Sequence, residues 1–397
     1  MLFNLENLLK AYFSCRIRKR KTINALYFEL DFEKKLLKLK RQLKNHTYKP
    51  GRSICFVVTY PKTREVFAAD FSDRIAHHLL VNQINPYFEK CFIYDSLACR
   101  KEKGIHMALI RLKKFLYQIT KNKTQKAFYA QLDIKSFFVS IDKNILFEIF
   151  KKKIQKLPRN QIWKKEILWL VKTIIFHDPT QNYYLKGDKN LFDQIPAHKT
   201  LFKASKHKGL AIGNLTSQFF ANVYLNELDQ FIKRKLKVKH YLRYVDDLVL
   251  LSQNIEQLKK WRDEIDYFLQ NQLKLKLHPD KQILKSVYSG INFVGYMVKP
   301  CYVLARKRVV KNIKIKLHYF NQGLFLSSNN QKQEALPLTT PPTKEEIEQM
   351  LAMVNSYYGH FKHANCYNLR KNLYEKHFGE LKKYLKPIKD YQYFEML

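Results

Sequence analysis

The sequence predicts an α+β fold, and three observations carry that expectation. Residues 54–69 and 240–251 each read as a β-hairpin, and helical apolar spacing recurs between and after them. The chain has 397 residues, 46% of them apolar and 14% aromatic. That is a folded composition, long enough for two or three subdomains around a substantial core.

Residues 1–50 are basic and helical in pattern, with Leu5, Leu8, Leu9 and Tyr12 on one face, and are expected to form an N-terminal extension. Ile54–Tyr60 and Glu65–Ala69 are rich in β-branched and aromatic residues, and Pro61-Lys62-Thr63-Arg64 supplies a turn between them. Phe128–Asp133 reads as a strand running straight into an acid. Asp142 then opens a helix carrying Ile145, Leu146, Ile149 and Phe150. Helices and short strands alternate to about residue 300. Gly323–Pro342 loses apolar periodicity, gains Ser, Asn, Gln and Pro, and reads as a linker or long loop. Thr343 and Glu346 then form a T-x-x-E capping box, with Ile347, Met350, Leu351, Val354 and Tyr358 on one helix face.

Charge narrows the function. Lys and Arg number 73 against 34 acids, a formal +39. Such a field favours a polyanion, nucleic acid first, with a plain Lys-rich solvated surface as the alternative. The six cysteines are scattered without C-x-x-C or zinc spacing, which fits free thiols in a reducing cytoplasm. Charges follow the apolar part of the N-terminus, unlike a secretory signal. The apolar run near Ile167–Phe176 is broken by Lys172, so no membrane partner is expected. Neither a P-loop nor a G-x-G-x-x-G is present.

Asp133 and the pair Asp246-Asp247 interrupt apolar strands in the same way. Turn chemistry alone accounts for Asp-Asp in a hairpin. Yet Leu242, Tyr244, Val245, Leu248 and Val249 read as core strands, which sets two acids on an apolar platform. Like charges packed there cost energy unless a cation joins them, and carboxylate oxygens suit Mg²⁺. With Asp133 beside the hairpin, Asp133 and Asp246 could hold two ions for nucleotidyl transfer. Spacing alone does not establish that arrangement.

These residues resemble the palm of a bacterial reverse transcriptase. Tyr244-Val-Asp-Asp247 resembles the Y-x-D-D box, Leu132-Asp133-Ile-Lys-Ser-Phe-Phe138 the first palm motif, and Gly209–Gln218 the motif between them. Leu277-His-Pro-Asp-Lys281, Phe293-Val-Gly-Tyr296, Pro61–Glu65 with Asp73-Arg74, and Asp95–Arg100 resemble the family's other blocks in order, over about residues 50–300. The resemblance implies a right-hand polymerase, with fingers at 51–130, a palm with an antiparallel sheet at 131–300, and a helical thumb and C-terminal segment at 301–397. The basic stretch near 180–208 is expected as an insertion, facing template or partner or simply crossing the surface.

The same resemblance implies catalytic Asp133, Asp246 and Asp247, with Ile134 joining them around two Mg²⁺, or Mn²⁺ in their place. Phe138 falls at the sugar gate, where a ring would clash with a ribose 2′-hydroxyl; a core aromatic is the alternative. Lys62, Arg64 and Arg74 would grip the triphosphate, and Ile212, Gly213 and Gln218 would line the nucleotide. Lys281 would protonate the leaving pyrophosphate, unless it is a solvated lysine in a His-Pro-Asp turn. Phe293, Val294, Gly295 and Tyr296 would form the primer grip. The implied partners are an RNA template, its cDNA product, deoxynucleotides, and an accessory protein or a second copy. The Ile-Gly-x-x-x-Ser-Gln form at 212–218 resembles diversity-generating retroelement enzymes and related defence-associated ones. A catalytically silent RNA-binding scaffold is the reading of another class, and an RNA-dependent RNA polymerase is disfavoured by Phe138.

Overall fold

The computed structural model describes residues 2–17, 19, 22–60, 62–322 and 341–397. In chain order the elements are α1 (Leu5–Arg16), α2 (Ile23–Leu30), α3 (Phe32–Lys44), β1 (Ser53–Val58), β2 (Arg64–Ala68), α4 (Phe71–Glu89) and α5 (Ile105–Ile119). Next come β3 (Phe128–Ile134), α6 (Phe137–Ser140), α7 (Lys143–Gln155), α8 (Gln161–Phe176), β4 (Tyr183–Leu185) and α9 (Leu215–Gln230). β5 (Tyr241–Tyr244), β6 (Asp247–Ser252), α10 (Ile255–Gln272), β7 (Leu277–Ser286), β8 (Ile291–Phe293), β9 (Tyr296–Val298) and β10 (Val303–Ala305) follow. The last are α11 (Lys307–Asn321), α12 (Lys344–Phe361), α13 (Tyr367–His377), β11 (Leu385–Ile388) and β12 (Tyr393–Met396). The α+β expectation holds. The linker expected at 323–342 lies outside the described residues, save its last two.

Two compact units interleave along the chain. The first comprises 1–101, 131–248 and 259–282; the second comprises 102–130, 249–258 and 283–397.

In the first unit, β1 pairs antiparallel with β2, Ile54 opposite Ala68 and Val58 opposite Arg64. β4 joins the other side of β1 in parallel, Ser53 opposite Tyr183. The basic stretch after β4 is therefore knitted to this hairpin. Buried Glu65 accepts from Thr200 Oγ1 at 2.6 Å and from the Leu201 amide, and Phe67 packs against Tyr183 and Phe202. The cap at Asp142 forms as expected, its carboxylate accepting from Asn144 N and Ile145 N at the start of α7. Behind the site, α9 buries nearly every side chain from Thr216 to Asp229.

A four-stranded sheet runs in the order β5-β6-β3-β7. Hydrogen bonding fixes that order. β6 lies between its hairpin partner β5 and β3, and β7 lies on the free side of β3.

In the second unit, β8, β9 and β10 form an antiparallel meander. Thr343 and Glu346 complete their capping box at α12. Ile347, Met350, Val354, Tyr358 and Phe361 enter one core with Ile313, Leu317, Leu373 and Phe394. No helix among the described residues is long and apolar enough to cross a membrane.

Candidate active site

Strand periodicity sets the first acid. Leu132 and Ile134 are buried, which leaves Gln131 and Asp133 half-buried on the opposite face of β3. Ile134 itself is 1% exposed, so only its main chain could serve a ligand. The chain then turns through Ser136, at φ +49°, into α6. Phe137 is buried and Phe138 half-buried, their rings 5.4 Å apart, and Phe138 O accepts from Leu210 N at 2.8 Å.

The second and third acids come from a two-residue turn. Val245 and Asp246 connect β5 to β6, and Val245 sits at φ +56°. Glycine ordinarily takes that place, and a β-branched residue is strained there. What holds it is Arg243, 1% exposed, whose Nη1 donates to Val245 O at 2.9 Å. The rest of the guanidinium is anchored in the interior. Its Nη2 reaches Asp229 Oδ2 at 2.7 Å and Ser96 Oγ at 2.8 Å, and Nη1 reaches Asn222 Oδ1 at 3.2 Å. Tyr241 donates to Asp229 Oδ1 at 2.7 Å. A buried charge network thus fixes the turn that presents Asp246.

The acids sense one another. Burial first, and then the Asp133 carboxylate, push Asp246 up to about 6. Burial pushes Asp247 up to about 7, with the Gln131 amide pulling it back and Asp246 and Asp133 pushing further. That amide donates from Nε2 to both Asp247 oxygens at 3.0 Å. Lys281 Nζ lies 2.5 Å from Asp133 Oδ2. Lys281 lies in β7, so the His-Pro-Asp turn that stood as the alternative for it does not form. β7 is an edge strand, where a proline costs no ladder bond. The charge of exposed Lys62 also reaches Asp246.

The remaining sites divide. Phe67 N donates to Ile212 O at 2.8 Å and Ala69 N to Asn214 Oδ1 at 3.1 Å, which ties this segment to β2. Gly213 has φ +123°, and a Cβ there would lie 2.7 Å from Val66 Cγ1 and 2.8 Å from Phe67 O. The close approach that demands glycine is thus to β2, whereas the sequence suggested a nucleotide. Ile212 is half-buried and Gln218 exposed in the first turn of α9. Arg64 is exposed at the start of β2, and Arg74 gives Nε to Ala69 O at 2.8 Å. Phe293 and Tyr296, both buried, and the turn Val294-Gly295 belong to the second unit. Gln131, Arg243 and Asp229 are the site's supports that sequence reasoning missed.

Asp133, Asp246 and Asp247 offer carboxylate oxygens, the hard donors that suit a divalent cation, while the Lys281 ammonium pairs with Asp133. No group of three or more His, Cys, Asp or Glu among the described residues is placed to hold a metal ion. Mg²⁺ is ordinarily held by one or two carboxylates completed by water and substrate phosphates, which this set fits.

Comparison with known proteins adds the following. The family model described as reverse transcriptase (RNA-dependent DNA polymerase) matches residues 59–298. The chain is 23% identical over 280 residues to protein YkfC of Escherichia coli (strain K12), covering 62% of this chain and 66% of that protein. It is 20% identical over 332 residues to group II intron-encoded protein LtrA of Lactococcus lactis subsp. cremoris, covering 67% of this chain and 50% of that protein. The chain therefore spans less than two thirds to half of the length of the curated relatives it matches. A structure of telomerase from Candida albicans, in complex with a fragment of telomeric RNA, aligns with TM-score 0.44 at 12% identity, covering 82% of this chain and 59% of that chain.

Proposed function

Because the chain belongs to the reverse transcriptase (RNA-dependent DNA polymerase) family, we propose that it copies an RNA template into DNA by nucleotidyl transfer. One observation carries the reading: β3 and the β5–β6 turn set three acids close together, where burial and then Asp133 push Asp246 upward, and burial, Asp246 and Asp133 push Asp247 upward. Fingers at 51–130, palm at 131–300 with its insertion near 180–208, and thumb at 301–397 complete the right hand.

In this reading Asp133, Asp246 and Asp247, with the Ile134 main chain beside them, would hold the divalent cations. Two Mg²⁺ ions, or Mn²⁺ in their place, supply activation of the primer 3′-hydroxyl and charge relief on the pyrophosphate when bound. Asp247 is oriented by Gln131. Lys281 holds a proton within reach of the departing pyrophosphate. Lys62, Arg64 and Arg74 grip the triphosphate, and Phe138 closes the pocket against a 2′-hydroxyl. Phe293, Val294, Gly295 and Tyr296 position the primer.

The finer role proposed is diversity generation by error-prone synthesis. Ile212 cannot donate the hydrogen bonds that a glutamine there could, which loosens base selection. Phage defence by cDNA synthesis is the alternative, with an accessory protein as a further partner. Intact acids speak against a silent scaffold.

Primer extension on an RNA template, wild type against Asp246→Asn, tests the reading. Deoxynucleotide incorporation lost in the variant supports it. Extension absent from both, with RNA still bound, moves the scaffold ahead.

A further inference from the structure

Glu65 occupies a place where the strand pattern calls for an apolar residue. Along β2, Glu65 and Phe67 are buried on one face, while Arg64 is exposed at the strand's start. Phe67 meets the rings of Tyr183 and Phe202 there, so the basic stretch that follows β4 covers this face. A carboxylate in such a place costs free energy unless donors meet it. Glu65 has two, and both come from that stretch: Thr200 Oγ1 donates at 2.6 Å, and the Leu201 amide donates as well. Burial raises the pKa of Glu65, and these two donors oppose the rise.

The stretch that holds Glu65 also reaches the segment carrying Phe138. Leu201 Cδ1 fills the space that a Cβ on Gly209 would need. Gly209 N donates to Ile141 O and Leu210 N to Phe138 O, both at 2.8 Å. Ile212 O accepts from Phe67 N at 2.8 Å. Residues 200–212 therefore bridge the β1–β2 hairpin to the Phe138 segment. Near the hairpin's turn stand Arg64 and Lys62, whose charge reaches Asp246. A two-stranded ribbon is marginally stable by itself. β4 pairs with β1 at Ser53–Cys55, the end away from that turn. Glu65 lies opposite Val57, beside the turn, where β4 gives no support.

We propose that Glu65 is a positioning residue: through Thr200 and Leu201 it docks the hairpin on residues 200–212 and so sets where Lys62 and Arg64 meet the triphosphate. This role rests on the triphosphate grip proposed above.

Steady-state single-nucleotide incorporation tests it, with deoxynucleotide varied and primer–template saturating. Thr200→Val keeps the side chain's shape and removes one donor from the carboxylate. It should raise the nucleotide KM about tenfold, the scale of one hydrogen bond to a charged group, and leave kcat within about twofold. Thr200→Ser restores the hydroxyl and should return KM to the wild-type value. Lys62→Ala with Arg64→Ala should raise KM by itself. Adding Thr200→Val to that pair should change KM by less than about twofold, because the contact acts through them. A Thr200→Val protein with unchanged KM, or one whose kcat falls while KM stays, overturns the proposal, since the contact then serves the fold alone. So does a Thr200→Ser protein as weak as Thr200→Val, or a full tenfold rise on top of the double variant. If instead the double variant keeps the wild-type KM, the triphosphate grip itself fails, and the positioning role with it.

Discussion

Lys281 sets its ammonium 2.5 Å from Asp133 Oδ2, an edge-strand cation on the acid that ends the neighbouring strand. This pairing neutralises part of the charge that a divalent cation would otherwise meet, so Lys281 and such a cation compete for one carboxylate. In the proposed reaction the displaced ammonium would face the leaving group. Lys281→Met should lower single-nucleotide incorporation about 10²-fold at saturating nucleotide, the usual worth of a general acid. The same variant should reach half-maximal rate at less Mg²⁺, because Asp133 loses its competing partner. A Mg²⁺ titration reads both effects, and an unchanged rate would place Lys281 outside the chemistry.

The carboxyls of the turn make the metal-free protein pH-sensitive. Asp246 and Asp247 titrate at about 6 and about 7 when folded, against an ordinary 3.8. The folded state therefore holds protons that the unfolded chain has released, and stability falls as pH rises through that window. A divalent cation takes the protons' place. Without metal, the melting temperature of the wild type relative to that of Asp247→Asn should be higher near pH 5 than near pH 8, a difference from which the opposing pull of buried His77 and His78 cancels, and Mg²⁺ should raise the wild type's mainly at the higher pH. Thermal melts in chelator and in Mg²⁺ decide the matter.

Arg243 ties fold to chemistry. Arg243→Met leaves Asp229, 0% exposed, without its ion partner, a loss on the order of 3–5 kcal/mol. Arg243→Met combined with Asp229→Leu removes both charges and should recover much of that stability. It should not recover synthesis, because Val245 O still lacks the donor that fixes its strained turn. Recovery of both would reduce Arg243 to a structural part.

What the sequence revealed was local. Asp133 and Asp246-Asp247 stood out because each breaks an apolar strand, and Asp142 and Thr343-Glu346 because a cap is written within four residues. Arg243 was one of 73 cations. Its importance lies in burial beside Asp229, Asn222 and Ser96, partners brought together only by the fold. Gln131 likewise needs β6 beside β3 before it has an acid to hold. A turn at Pro279 stayed open as an alternative because nothing local says that β7 is an edge. The interleaving of the two units has no mark in composition at all.

Phe138 is half-buried beside buried Phe137, which leaves one ring in the core and the other partly exposed to solvent. Phe138→Ala should admit ribonucleotides, lowering the preference for deoxynucleotides by about 10- to 100-fold in kcat/KM, the scale of one steric contact. Fold stability should drop less than for Phe137→Ala. Unaltered sugar selectivity would sink the gate assignment.

His360 holds the turn of the proposed primer grip. Val294 and Gly295 lie at φ +43° and +93° between β8 and β9, a turn that strains the valine. The His360 ring stacks on Tyr296 at 4.0 Å, its Nε2 lies 3.3 Å from Gly295 O, and Tyr296 donates to His360 O at 2.9 Å. A Cβ on Gly295 would lie 2.9 Å from His360 Cε1, so the ring leaves no room there for another residue. Burial lowers the imidazole's pKa, with the Gly295 contact opposing and His106 adding to the fall. A neutral ring can donate to Gly295 O in the tautomer protonated at Nε2. His360→Ala should therefore raise the KM for primer–template about tenfold, the worth of one stack and one hydrogen bond, while kcat at saturating primer changes little. His360→Gln, which keeps a donor, should recover part of the loss. A fall in kcat with KM unchanged would show that the ring supports folding or chemistry and not the grip on the primer.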